Sequence, residues 1–251
     1  MLRTLLIWGL LAGLCGGLLA TGFSEVAGEP AVNRAIAFES AQAKAAGQTE
    51  EPAIVTRGVQ RSVGLLTAAV VFGVSMGGLF ALAFAFAYGR VGRASPARTA
   101  LWLAAGAFLV VYLVPFLKYP ANPPSVGDPD TIGKRTTLYF LMVVLSVLLA
   151  VATVILGKRL ASRLGNWNAT LAACAFFVLA IGLAYAFLPS FNEVPKDFSA
   201  TLLWQFRLAA LAVQLTLWTS FGLVFGVLAE RVLAPKPAQA NGATRPTPVT
   251  H

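Results

Sequence analysis

Six long apolar stretches, each about as long as a bilayer is thick, constrain this chain more than any other feature. A membrane-spanning helix needs about 20 mostly apolar residues, because each residue rises about 1.5 Å across a hydrocarbon core of about 30 Å. The stretches are Leu2–Phe23, Val63–Tyr88, Leu101–Leu117, Thr137–Gly157, Ala169–Leu188 and Leu208–Ala229, the last beginning as early as Leu202. The pattern predicts an all-α polytopic transmembrane bundle over residues 1–234.

Composition agrees with a membrane protein. Of the 251 residues, 57% are hydrophobic and only 12% are charged, against about 25% charged in soluble domains. This excludes a disordered chain and argues against a water-soluble enzyme. The net charge of +9 relates to membrane topology, so membrane lipids rather than nucleic acid are the expected surroundings. Residues 235–251 are rich in Pro and Ala, and we expect a disordered cytoplasmic tail there.

The first apolar stretch resembles a signal peptide only superficially. Arg3 precedes it, but the run is about twice as long as the usual hydrophobic region of a signal, and no A-x-A cleavage site follows. Leu14 stands directly before Cys15, where a lipoprotein signal requires a small residue. We therefore expect this stretch to remain as a transmembrane span.

Loop charge predicts the orientation, because Lys and Arg are retained on the cytoplasmic side of a membrane. With the N-terminus inside, the inner segments carry ten positive residues and one acid, whereas the outer segments carry eight positive residues and nine acids. The short loops G-R-V-G-R and G-K-R-L-A-S-R contain no acid. Both termini should be cytoplasmic, in a multi-pass protein of the cytoplasmic membrane.

Small residues at spacings of four predict close helix packing, because lipid provides no hydrophobic force between helices. They are Gly9, Gly13 and Gly17 in the first span, Gly73 and Gly77 in the second, and Gly222 and Gly226 in the last. Internal packing and docking of another subunit are both compatible with these faces.

Catalytic signatures are missing from the sequence. The only histidine is His251, so a Ser-His-Asp or Cys-His arrangement cannot form, and no phosphate-binding G-x-x-x-x-G-K-[ST] motif occurs. Cys15 and Cys174 lie in apolar runs and form no metal or redox motif. We expect no enzymatic activity, and any transport must be passive, ion-coupled or powered by a partner.

Carboxylates are concentrated on the predicted outer side, which holds nine of the ten acids. Carboxylate oxygens suit hard divalent cations, although exposed loops also need charge for solubility. The best candidate metal ligands are Glu29, Glu39, Asp128 and Asp130. A helix from Pro30, which suits a first turn, to Gly47 should follow the first span and lie on the membrane surface, with Glu29 at its junction with the span.

Arg207 is the most unusual charge, since ionisable residues within a span are costly. It has two interpretations: a snorkelling or ion-paired residue near the outer interface, with Glu193 or Asp197 as the expected partner, or a functional contact. Gln214, seven residues further on, continues the same helix face.

Several strings in the sequence resemble the CbtA family, the predicted membrane subunit of a cobalt transporter. They are L-L-I-W-G-L-L-A-G-L followed by E-P and R-A-I-A-F-E, V-P-F-L-K-Y-P-A-N-P-P-S-V-G-D-P-D-T-I-G, and N-E-V-P-K-D-F with L-W-Q-F-R-L-A. The resemblance covers about residues 1–233. It implies transport of cobalt(II) without a stably bound cofactor, and a small single-span partner, CbtB, that carries metal-binding histidines. Family members are usually described with five spans, whereas six are counted here.

Two functions from different classes follow. The first is the membrane subunit of a cobalt uptake transporter, with cobalt and nickel not distinguished because they share ligand preferences. The second is a non-transporting scaffold that assembles a partner complex through its glycine faces. A membrane enzyme is disfavoured by the missing catalytic residues.

Overall fold

The computed structural model describes residues 1–47, 55–90, 92 and 94–233. Within them are five helices long and apolar enough to cross a membrane: α1 (Leu2–Ala45), α2 (Arg57–Ala87), α3 (Pro96–Lys118), α4 (Pro129–Phe187) and α5 (Ala200–Leu233). No strand occurs in this part of the chain, so the all-α prediction is confirmed. The tail predicted over residues 235–251 lies outside the described residues.

The fourth and fifth predicted spans lie within α4, which contains a break. Gly165 has φ 72° and ψ 163°, a backbone conformation that is essentially restricted to glycine. A Cβ atom on Gly157 would lie 3.4 Å from the Cβ of Ala173, whereas an unbroken helix would separate these residues by about 24 Å. The chain therefore reverses direction at Gly165, and residues 132–164 and 166–187 lie side by side.

The helix predicted after the first span is present, and it continues that span instead of starting as a separate helix. The backbone stays helical through a π-turn at Ser24–Gly28 and on to Ala45, and Gly47, at φ 68°, follows the helix end. Pro30 is therefore inside α1 rather than at the start of a new helix. Its ring would crowd the carbonyl of Val26, four residues earlier, and the wider π-turn at Val26 relieves that contact.

A π-turn also precedes a proline in α3, where the turn at Phe108–Leu113 comes before Pro115. Hydroxyl groups of α4 donate hydrogen bonds to backbone carbonyl groups in and next to this π-turn. The buried Ser146 hydroxyl donates a hydrogen bond to the carbonyl oxygen of Val110 at 2.5 Å, and the Tyr185 hydroxyl donates to that of Val114. These bonds connect both halves of α4 to α3.

A seam of close backbone contact joins α1 to the antiparallel α2. A Cβ atom on Gly9 would lie 2.5 Å from the carbonyl oxygen of Gly77, one on Gly17 would lie 2.6 Å from that of Ala69, and Gly13 faces Gly73 in the same way. Each step of four residues along α1 is thus matched by a step of four back along α2. These glycines permit an approach that any side chain would prevent.

The other glycine pair of the sequence lies between α5 and α3. A Cβ atom on Gly222 would lie 3.1 Å from that of Ala104, and one on Gly226 would lie 3.4 Å from that of Ala100. Beside them, a buried aromatic cluster joins α2 to α5, with Phe84 and Phe225 in edge-to-face contact at 5.0 Å. The central core therefore consists of α1, α2, α3 and α5.

The bundle has two chemically different ends. One end contains the start of α1, the end of α5, the turn at Gly165 and the α2–α3 connection, and we call it the termini end. There the Lys158 ammonium donates to the carbonyl oxygen of Arg90 at 2.8 Å, and Glu230 accepts from the Ala97 backbone N–H at 2.8 Å. We call the opposite end, with the residues between α3 and α4 and between α4 and α5, the loop end.

Candidate functional site

The loop end contains two candidate sites. One is a row of ion pairs between α1 and α2, which we call the ladder, and the other is a cavity bounded by α3, α4 and α5. The last part of α1, Glu29–Ala45, lies between them. Its Phe38 packs edge-on against Phe198 at 5.1 Å, and its Arg34 donates a hydrogen bond to the side chain of Gln205 in α5 at 2.8 Å.

The ladder continues the glycine seam into charged residues. Glu25 accepts from Arg61 at 3.1 Å, and Glu29 accepts from Arg57, which also donates to Asn33. In an α-helix, residues four positions apart differ by about 40° in direction around the helix axis. Repeated steps of four would therefore turn these side chains away from the seam. Both helices carry a π-turn at this level, Ser24–Gly28 and Gln60–Gly64, and its larger number of residues per turn offsets the drift.

The cavity has a volume of about 780 Å³. Its apolar wall consists largely of aromatic rings, which include Tyr112 and Phe116, stacked at 5.4 Å, and Tyr139 from α4. Its polar lining comes from the ends of α3 and α4, from the two connections, and from the first turns of α5: Lys118, Asn122, Arg135, Asn192, Glu193 and Arg207.

Two of the lining cations bind neutral oxygens rather than carboxylates. Arg207 donates to the carbonyl oxygen of Ala121 at 3.3 Å and to Asn122 Oδ1 at 3.1 Å. Lys118 donates to the carbonyl oxygen of Tyr185 at 2.8 Å and to the Ser190 hydroxyl at 2.7 Å. The ion pair expected between Arg207 and Glu193 or Asp197 is therefore wrong, because the α3–α4 connection folds back over Arg207 and supplies its acceptors.

Glu193 instead holds the two connections together. It accepts from the backbone N–H of Asp128 at 2.8 Å and from the Thr131 hydroxyl at 2.9 Å, and Arg135 Nε lies 3.4 Å away. The Asp128 N–H, helped by Thr131 and Arg135, holds the pKa of Glu193 below its ordinary value. Although paired in charge with Glu193, Arg135 Nε is buried and makes no hydrogen bond within the described residues.

The backbone conformation favours glycine at position 127, and the Arg135 guanidinium lies against this residue. Its φ of 119° is rarely adopted by other residues, and a Cβ atom there would lie 2.6 Å from Nη2 of Arg135. The backbone of the α3–α4 connection thus passes directly beneath the Arg135 guanidinium.

The structure does not gather the four candidate metal ligands at one point. Glu29 is buried against Arg57, whereas Glu39, Asp128 and Asp130 are exposed. Asp128 uses its carboxylate to accept from the backbone N–H of Asp130 at 2.9 Å. Within the described ranges, no three His, Cys, Asp or Glu side chains lie close enough together to hold a metal ion. Their role as ligands stays a prediction.

Several residues of this region were not singled out from the sequence. Glu193 was considered only as an outer acid and as a partner of Arg207, not as the link between the two connections, and Ser146 and Tyr185 were part of apolar runs. No short-range spacing relates Glu193 to Asp128 or Arg135, because these contacts bridge about 60 residues of chain. Gln214, two turns beyond Arg207, is half-buried and does not line the cavity.

Comparison with known proteins identifies the family. The family model CbtA, described as a probable cobalt transporter subunit, matches residues 2–230, and the chain therefore belongs to this family. No curated protein and no solved structure gives a significant match.

Proposed function

We propose that this CbtA-family chain is the membrane subunit of a cobalt uptake transporter in the cytoplasmic membrane. In this proposal the chain forms the helical path, and a small single-span, His-rich partner of the CbtB type supplies imidazole ligands. The observation that carries the proposal is the family match, which covers residues 2–230 and thus almost all of α1 to α5.

The proposed topology has six crossings and cytoplasmic termini. It is supported by the reversal at Gly165, which allows residues 132–164 and 166–187 to cross separately, and by the excess of Lys and Arg at the termini end. Reporter fusions at Ser125 and Gly165 test it. Ser125 should report outside and Gly165 inside, and a periplasmic signal at Gly165 would contradict the six-crossing arrangement.

The loop end, on this topology, faces the outside and is where cobalt first meets the chain. A hydrated divalent cation exchanges part of its water shell for protein oxygens. Glu39, Asp128 and Asp130 are exposed there and are the proposed first contacts. Glu29 becomes a ligand only if the cation displaces Arg57, because the guanidinium already occupies its carboxylate.

Cobalt accumulation in cells distinguishes this proposal from a scaffold role. Cells that lack their own cobalt importer should accumulate the ion only when this chain and its partner are both produced. A scaffold predicts instead that the partner, produced at the same membrane level without this chain, accumulates cobalt equally well. Competition with nickel in the same assay measures metal preference.

A further inference from the structure

The charges around the loop-end cavity are unbalanced. Its lining contains three cations, Lys118, Arg135 and Arg207, and one acid, Glu193. Glu193 lies 3.4 Å from Arg135 and also accepts two further hydrogen bonds, so it neutralises one cation. Lys118 and Arg207 bind only neutral oxygens and leave about two positive charges at the cavity.

Lys118 and Arg207 also have N–H groups that make no hydrogen bond within the described residues. A guanidinium has five N–H donors and an ammonium has three, of which Arg207 and Lys118 each direct two at the acceptors named above. Arg135 Nε, in contrast, is buried and lies 3.4 Å from the Glu193 carboxylate, so it is not one of the free donors. The remaining N–H groups of Arg207 and Lys118 are therefore the donors for an acceptor in the cavity.

The rest of the lining is suited to an apolar or planar group. Tyr112, Phe116 and Tyr139 form one wall, and the amides of Asn122 and Asn192 offer neutral hydrogen-bonding groups. Aromatic walls lower the local dielectric constant, which strengthens the attraction between the cations and an anion. The same field repels a free divalent cation.

We propose that this cavity binds an oxyanion, a carboxylate or phosphate group, with Lys118 and Arg207 as its charge partners and the aromatic wall against its apolar part. This site is separate from the exposed carboxylates proposed to meet cobalt, and anion binding does not depend on whether the chain transports a metal. The oxyanion has two sources, a soluble anion or the headgroup of an anionic lipid.

Calorimetric titration of the full-length chain tests the proposal for the soluble source. The protein is held in neutral detergent and titrated at low salt with citrate and, separately, with inorganic phosphate. For the lipid source, the chain is placed in phosphatidylcholine nanodiscs with or without phosphatidylglycerol, and the thermal midpoint of unfolding is compared.

Asn192→Asp is the informative variant, because Asn192 lines the cavity and its side chain is exposed. The added carboxylate should weaken binding of the citrate or phosphate probe at least tenfold, or abolish stabilisation by phosphatidylglycerol. Lys118→Gln should act in the same direction. Arg34→Gln is the matched control: it removes a cation at the same end that does not line the cavity, and it should leave binding unchanged.

The outcomes separate the sources. Saturable binding of citrate or phosphate that Asn192→Asp weakens supports a soluble anion, and phosphatidylglycerol stabilisation alone, lost in Asn192→Asp, supports a lipid headgroup. Absence of both effects would overturn the proposal. Equal losses in Asn192→Asp and Arg34→Gln would also overturn it, because they would indicate diffuse surface charge.

Discussion

Gly13 of α1 lies so close to Gly73 of α2 that a Cβ atom on either residue would overlap the carbonyl oxygen of the other. The same register continues along both helices to the ion pair between Glu29 and Arg57. Backbone contact near the middle of the seam therefore sets which charged residues meet at the loop end.

Gly13→Ala should destabilise the protein, even though alanine favours a helix over glycine by about 1 kcal/mol. The added methyl group meets backbone, which cannot rotate away, and overpacking of this kind costs about 1–3 kcal/mol. Gly22→Ala is the matched control in the same helix, because nothing lies within 4 Å of a Cβ atom there. Thermal unfolding in detergent measures both variants, and equal midpoints would contradict the seam.

Glu29 and Arg57 should be energetically coupled. Their side chains are 10% and 36% exposed, against 30% and 55% for Glu25 and Arg61, so water screens the first pair less. A double-mutant cycle with Glu29→Gln and Arg57→Gln should give a coupling of about 1.5–3 kcal/mol. The cycle for Glu25 and Arg61 should give about 0.2–1 kcal/mol. A larger coupling at Glu25 and Arg61 would contradict the arrangement.

Glu193 should make stability depend on pH in a defined window. Its pKa is lowered in the folded state from the ordinary value of 4.5, so its contribution is present above about pH 4.5 and is lost as the pH falls through the folded-state pKa. The difference in thermal midpoint between the native chain and Glu193→Gln should stay constant from pH 7 to pH 5 and shrink in stronger acid. A difference that grows in stronger acid would have the wrong sign.

Glu39→Gln should lower cobalt uptake and leave the amount of folded protein unchanged, because Glu39 is exposed. Glu29→Gln should lower both, since it leaves the Arg57 guanidinium without its carboxylate. Glu50→Gln and Glu51→Gln, which lie outside the described residues, serve as controls expected to have little effect. Equal losses of uptake in all four variants would indicate diffuse attraction that salt screens.

The sequence was sufficient to predict the features that depend on local pattern. Apolar length predicts the helices, and spacings of four predict the faces on which Gly13 and Gly73 lie. Features that depend on three-dimensional context were not predictable. Gly165 looks like a glycine tolerated within a loop or a helix. Pro30 looks like a helix start, because the π-turn before it leaves no signal in the sequence. The hydrogen-bond acceptors of Arg207 come from a connection about 85 residues earlier in the chain.

Uptake of radioactive cobalt into vesicles tests the proposed function most directly. Vesicles that contain this chain with its His-rich partner should accumulate cobalt faster than vesicles that contain either subunit alone, and Gly13→Leu in the paired vesicles should remove the increase. Equal uptake by vesicles that contain the partner alone would contradict a role for this chain in the transport path.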